Sequence, residues 1–114
     1  MINMKKVEVI IEAVYINRLI ELFKKHDING YTVIKDIEGY GGHGLKTADE
    51  VTDVFSNILV FTVCEAKQFE DMEVDIRKFF EKYGGKCILS DVMLLLGEKQ
   101  RRERINLQYS GSIK

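Results

Sequence analysis

Polar and apolar residues alternate along KKVEVIIEA (5–13). Val7, Val9 and Ile11 fall on one face, and Glu8, Ile10 and Glu12 on the other. A period of two predicts a strand. The period then lengthens. In YINRLIELFKKHDING (15–30), Ile16, Leu19, Ile20 and Phe23 fall at i, i+3, i+4 and i+7, the stripe of an amphipathic helix. Glu21 and Lys25 are spaced to pair on its exposed side. Asn29-Gly30 offers the left-handed backbone that stops a helix. YTVIKDI (31–37) reads as a second strand, and residues 38 to about 53 read as a loop. VFSNILVFTV (54–63) is a third strand, apolar enough for burial on both faces. Phe69, Met72, Ile76, Phe79, Phe80 and Tyr83 form a second, longer helical stripe, which Gly84-Gly85 ends. KCILSDVMLLL (86–96) is a fourth strand, with Ser90-Asp91 as the candidate irregularity.

The order is βαββαβ. Right-handed crossovers then put both helices on one face of an antiparallel sheet, an α+β sandwich of the ferredoxin-like kind. Residues 1–97 form one domain on this reading. A basic tail, 98–114, packs on or near it. Ile105, Leu107 and Tyr109 alternate in that tail, which suggests a short extra strand. The first, third and fourth strands carry apolar residues on both faces, and no helix is left to cover the second face. Another subunit is the expected cover.

Composition narrows the function classes. With 17 Lys and Arg against 18 Asp and Glu, the chain has a net charge of −1. A general nucleic-acid binder carries a basic excess. Phe55 and Phe61 lack the Lys/Arg-Gly-Phe context of an RNA-recognition strand. No apolar run is long enough to span a membrane. Glu8 and Glu12 interrupt the apolar start, which argues against a signal peptide and for a cytoplasmic protein. Cys64 and Cys87 form no CxxC pair, and small buried apolar positions suit them better than a disulfide or zinc framework. AVYIN (13–17), after the first strand, lacks the arginine that an acylphosphatase-like phosphate loop needs.

Two glycine sites carry the candidate chemistry: EGYGGHG (38–44) after the second strand, and YGGK (83–86) before the fourth. Glycine lets backbone N–H groups form a nest around an anion. Lys86 adds a point charge, and EKQRRER (98–104) supplies Arg101, Arg102 and Arg104. In this topology the second and fourth strands are opposite edges of one sheet. A ring of subunits would bring the two sites into one cleft. The plainer readings are a hairpin tip for the glycine cluster, a solvated strand start for Lys86 and a solvated tail for the arginines. His43 would be an exposed loop residue, and Tyr40 would stack or pack. His26 suits a partner for the first helix's C-terminal dipole. No nucleophile–base pair stands out, so no enzymatic turnover is expected.

GYTV (30–33), EGYGGHG (38–44) and YGGKCILSDV (83–92), in that order, resemble the PII and PII-like signalling proteins over roughly residues 5–97. The resemblance implies a homotrimer that binds adenine nucleotide (AMP, ADP, ATP or cyclic AMP) in clefts between subunits. No cofactor is required. Carried over by position, Thr32 would contact the base, and the backbone at Phe61 and Thr62 would meet the adenine. Gly39 and Gly41 would shape the turn near the phosphates, with His43 beside them. Gly84, Gly85 and Lys86 would hold phosphate, and Arg101 and Arg102 would come from the next subunit. Residues 38–53 would be the T-loop, which docks a regulated transporter or enzyme. That loop is shorter than in nitrogen-regulatory PII proteins, and His43 stands near their glutamine. It has no clear match to their modified tyrosine. LLLGEKQRRER (94–104) differs from the usual Arg-x-Arg-Thr-Gly. These departures, with SDV (90–92), look closer to the PII-like branch tied to inorganic carbon, some members of which also bind bicarbonate. The alternative is a trimeric metal-tolerance protein of the CutA kind, with His43 and Cys64 or Cys87 as its ligand source.

Overall fold

The computed structural model describes residues 1–41, 44–46 and 56–96, with backbone alone for 40, 41 and 44–46. In chain order the elements are β1 (Ile2–Glu12), a 3-10 turn (Ala13–Tyr15), α1 (Ile16–Lys25), β2 (Thr32–Ile37), β3 (Gly39–Gly41), β4 (Gly44–Lys46), β5 (Asn57–Cys64), α2 (Ala66–Tyr83) and β6 (Lys86–Leu94). The main sheet has the order β2-β5-β1-β6, with every pair antiparallel. This is the ferredoxin-like plan expected from the element order.

Alternation decides what each sheet face meets. Val7, Val9 and Ile11 of β1 turn toward the helices, as do Ile58, Val60 and Cys64 of β5. They close over Leu19 and Phe23 of α1 and over Met72, Ile76 and Phe79 of α2. Ile16 and Leu22 flank the α1 stripe. The periodicity of both helices thus reports their buried sides. The opposite sheet face meets no helix among the described residues. Its cross-strand rows include Ile34–Leu59–Ile10–Lys86 and Thr32–Phe61–Glu8–Ile88. Ile34 is 45% exposed and Ile88 44%. Lys6 lies over the Phe61 ring, 4.8 Å from its centroid.

Several element ends differ from the sequence reading. β1 starts at Ile2 because Ile2 pairs with Leu94 of β6. α1 stops before Asn29-Gly30. Asp27 takes the left-handed conformation (φ 62°), and its N–H bonds Lys24 O at 3.1 Å. Ile28 N–H bonds Phe23 O at 2.9 Å, which completes a Schellman closure. Ile28 is also buried in the core with Phe23, as such closures favour. β6 pairs regularly through Ser90 and Asp91. The irregularity lies instead in β2, where the register with β5 shifts between Ile34 and Ile37 and Asp36 has φ 57°. Aspartate tolerates that region better than most residues. Part of the expected 38–53 loop is paired backbone: Gly39 opposes Lys46, Tyr40 opposes Leu45 and Gly41 opposes Gly44.

Polar bridges tie the two helices together. His26 Nε2 lies 2.8 Å and Lys25 Nζ 3.1 Å from Asp75 Oδ2. The hydrogen bond to His26, then the one to Lys25, lowers the Asp75 pKa from 3.8. A folded-state pKa below the unfolded one contributes stability above the unfolded value, and this is lost as pH falls through the folded value. Asp75→Asn should therefore lower the urea midpoint at pH 7. The gap from wild type should close by about pH 2. A gap constant across that range would show that the bridge does not couple to folding.

Candidate functional site

Gly84 and Gly85 are built into the junction of α2 with β6. Gly84 caps α2 at φ 76°, ψ −169°, and its N–H bonds Phe80 O at 2.9 Å. That conformation is open essentially to glycine alone. Gly85 has φ 102°, and a Cβ there would sit 2.4 Å from Ile10 O and 2.9 Å from Ile11 Cγ2. Both glycines are thus required by the fold itself. The preceding Tyr83 packs on Tyr15 with ring centroids 4.6 Å apart and on Phe79 at 4.9 Å. Arg18 and Lys82 lie over the Tyr83 ring at 5.7 and 5.3 Å. This aromatic anchor fixes where the Gly-Gly turn delivers Lys86. Sequence reasoning assigned Tyr83 to the core and gave Tyr15 and Arg18 no role. Their convergence needs the tertiary fold. Lys86 is exposed, and no carboxylate among the described residues pairs with it.

The other group lies across the sheet. Thr32 opposes Phe61 at the point where β2 begins. Phe61 faces the helix-free side, in one cross-strand row with Glu8. The Thr62 side chain faces the helices, and its hydroxyl donates to Gly30 O at 2.6 Å. That bond holds the start of β2 against β5. Thr62→Val should leave the Gly30 carbonyl without this partner and cost about 1–2 kcal/mol, read as a lower urea midpoint. An unchanged midpoint would show that the bond does not support the fold. Beyond Phe61, β5 has no β2 partner, because the β2–β5 register ends at Thr32. Gly39 follows the bulge, and a Cβ there would meet nothing within 4 Å. Packing among the described residues therefore does not require Gly39 to be glycine.

The register fixes how these groups relate. Lys86 stands level with Ile34, between Thr32 and Gly39 along the sheet, and is three strands away. At ordinary strand spacing that is about 14 Å. The chain brings together Thr32, Phe61 and Thr62 on one side, and Gly84, Gly85 and Lys86 on the other. It does not bring the two sets into contact. The backbone of Gly41 is described. His43, Arg101 and Arg102 lie outside the described residues.

Cys64 is buried, and its pKa is raised above 9.0 by that burial first and then by Glu65. Burial likewise raises Cys87. The described residues hold no group of three or more His, Cys, Asp or Glu side chains arranged for a metal. No helix among them is long and apolar enough to cross a membrane.

The family model for nitrogen regulatory protein P-II matches residues 4–98, and the chain belongs to that family of regulatory signalling proteins. Solved structures share the fold at low identity. CPII from Thiomonas intermedia K12, a nitrogen regulatory PII-like protein bound to ADP, AMP and bicarbonate, superposes with a TM-score of 0.75 at 20% identity, over 82% of this chain and 89% of that one. CPII bound to ADP, AMP and acetate gives 0.69 at 19% identity, over 87% and 93%. A PII-like signalling protein of Thermus thermophilus gives 0.70 at 20% identity, over 90% and 95%. No curated protein matches the chain.

Proposed function

We propose that this chain is a cytoplasmic adenine-nucleotide sensor that works as a homotrimer without turnover. Bicarbonate is its second ligand. It regulates a transporter or enzyme of inorganic-carbon metabolism through residues 38–53. The observation that carries the reading is the placement of two glycine sites. Gly39 follows β2 at one edge of the sheet, and Gly84–Lys86 precedes β6 at the other. Both open toward the same end of the sheet, because the row through Lys86 also passes through Ile34, within β2.

Side by side in a ring, the β2 edge of one subunit and the β6 edge of the next form one cleft. Thr32 and the backbone at Phe61 and Thr62 meet the adenine. Gly39, Gly41 and His43 border the phosphates from one side. Gly84, Gly85 and Lys86 hold them from the other, and Arg101 and Arg102 of a neighbouring subunit complete the charge. The helix-free face, with Ile34, Phe61 and Ile88, is the surface on which subunits meet. Fold likeness to the CPII complexes and to their ADP, AMP and bicarbonate supports the ligand class. Ligand acts on the partner only as far as it prefers one state of the 38–53 segment.

Calorimetric titration with AMP, ADP, ATP and cyclic AMP, each with and without bicarbonate, tests the reading. One nucleotide per subunit is expected, with bicarbonate shifting its affinity. A folded trimer that gives no heat with any of the four would end the nucleotide reading. A parallel zinc and copper titration addresses the CutA-like alternative. Metal binding lost in His43→Ala would favour that alternative.

A further inference from the structure

Two opposite charges stand inside the apolar, helix-free face of the main sheet. The central strand β1 sends Lys6, Glu8 and Ile10 to this face, since Val7, Val9 and Ile11 turn the other way. The Lys6 row runs Val63–Lys6–Ser90, and the Glu8 row Thr32–Phe61–Glu8–Ile88. Ile10, with Leu59 and Ile34 across from it, lies on one side of the two charges along the face, and Val92 on the other. Glu12 and Lys86 also face this way, but they stand toward the end of the sheet.

Both central charges are already partly withdrawn from water. The Lys6 side chain keeps 33% of its exposure and the Glu8 side chain 28%. Lys6 leans over Phe61, in the Glu8 row, and its Nζ stops 4.0 Å from Glu8 Oε2. That is the outer limit of an ion pair, and neither charge has another ion-pair partner among the described residues. Burying the face removes the water that remains. A buried charge without a close partner is strongly unfavourable, and a well-formed pair is tolerated. The covering surface therefore has to offer an anion to Lys6 and a cation to Glu8. Two residues along a strand separate these, about 7 Å. A second copy of this same face carries that pattern. In a ring the contact is heterologous, so different patches of neighbouring copies meet. Lys6 of one copy can then face Glu8 of the next all the way round.

We infer that three Lys6–Glu8 ion pairs, each between two copies, close the centre of the assembly. The inference rests on the homotrimer reading given above. Ile34, Phe61 and Ile88 supply apolar area at the contact. The charges supply specificity, because an arrangement that leaves either one unpaired is penalised.

Charge reversal in the full chain tests this. The K6E chain carries two anions at the centre of the face, and the E8K chain two cations. Sedimentation and native mass measurements over a range of concentrations should show the wild type as a trimer. Each single reversal should need at least about tenfold more protein for half assembly, because like charges then meet at every contact. Refolded together, with one chain isotopically labelled, the two should form mixed trimers at concentrations where neither assembles alone. Two of the three contacts in a mixed trimer join opposite signs. Mixing cannot restore a pair within one chain, so mixed trimers establish that the pairing runs between copies. Absence of mixed trimers would overturn the inference. Should the reversals fail to refold even together, Lys6→Gln and Glu8→Gln decide. Each should raise the half-assembly concentration at least about tenfold, and unchanged assembly would overturn the inference. A wild type that is not trimeric would end the trimer reading and this inference with it. A trimeric wild type whose single reversals remain equally trimeric would end this inference alone.

Discussion

Gly85→Ala should destabilise the protein by about 3 kcal/mol, combining left-handed strain with overpacking. The added methyl would sit 2.4 Å from the Ile10 carbonyl oxygen, a backbone atom inside the β1–β6 ladder. Backbone held on both sides by strand pairing cannot give way as a flexible side chain can. Gly84→Ala meets no atom within 4 Å, only the φ of 76°. Its cost should be smaller, about 1–2 kcal/mol. Against a typical domain stability of about 5–15 kcal/mol, both changes are destabilising and the first is the more severe. Urea unfolding of the three proteins measures both. Equal losses would mean that the close approach to Ile10 relaxes without penalty.

On the proposed function, Lys86→Ala should weaken nucleotide binding roughly tenfold to a hundredfold, the range for losing a hydrogen bond to a charged group. Its side chain is exposed and free of carboxylate partners among the described residues. Stability should therefore stay within about 0.5 kcal/mol of wild type. Lys86→Arg should recover part of the affinity, because it keeps the charge but not the shape. The expected result is an affinity loss with an unchanged urea midpoint. Unchanged affinity would take Lys86 out of the site, and a large stability loss would make it a structural residue. Gly85→Ala cannot make this distinction, because its binding and folding effects arrive together.

The two helical stripes and four main strands were legible because their periodicities report burial directly. Val7, Val9 and Ile11, and Met72, Ile76 and Phe79, fall where alternation and the 3.6-residue repeat put them. The stops were less legible. Asn29-Gly30 looked like the end of α1, yet Asp27 takes the left-handed position because Ile28 has to reach the core beside Phe23. Asp36 went unnoticed in the same way. The adjacent polar pair Lys35-Asp36, which breaks the alternation of TVIKDI, was the only local sign of the β2 bulge. The Gly-Gly turn was legible as special, but its structural cause was hidden. No sequence pattern shows that Gly85 abuts Ile10, some 75 positions earlier. The family was legible from the order of three glycine-bearing motifs, and the match over residues 4–98 bears it out.

The helix-free sheet face has a thermodynamic consequence. Ile34, Phe61 and Ile88 lie on a surface that no described element of the same chain covers. In the proposed homotrimer, burying that surface against other copies would make folding and association one equilibrium, governed by mass action. The melting temperature then rises with protein concentration, and a stability quoted without one is incomplete. For such a trimer, dilution would act as a denaturant.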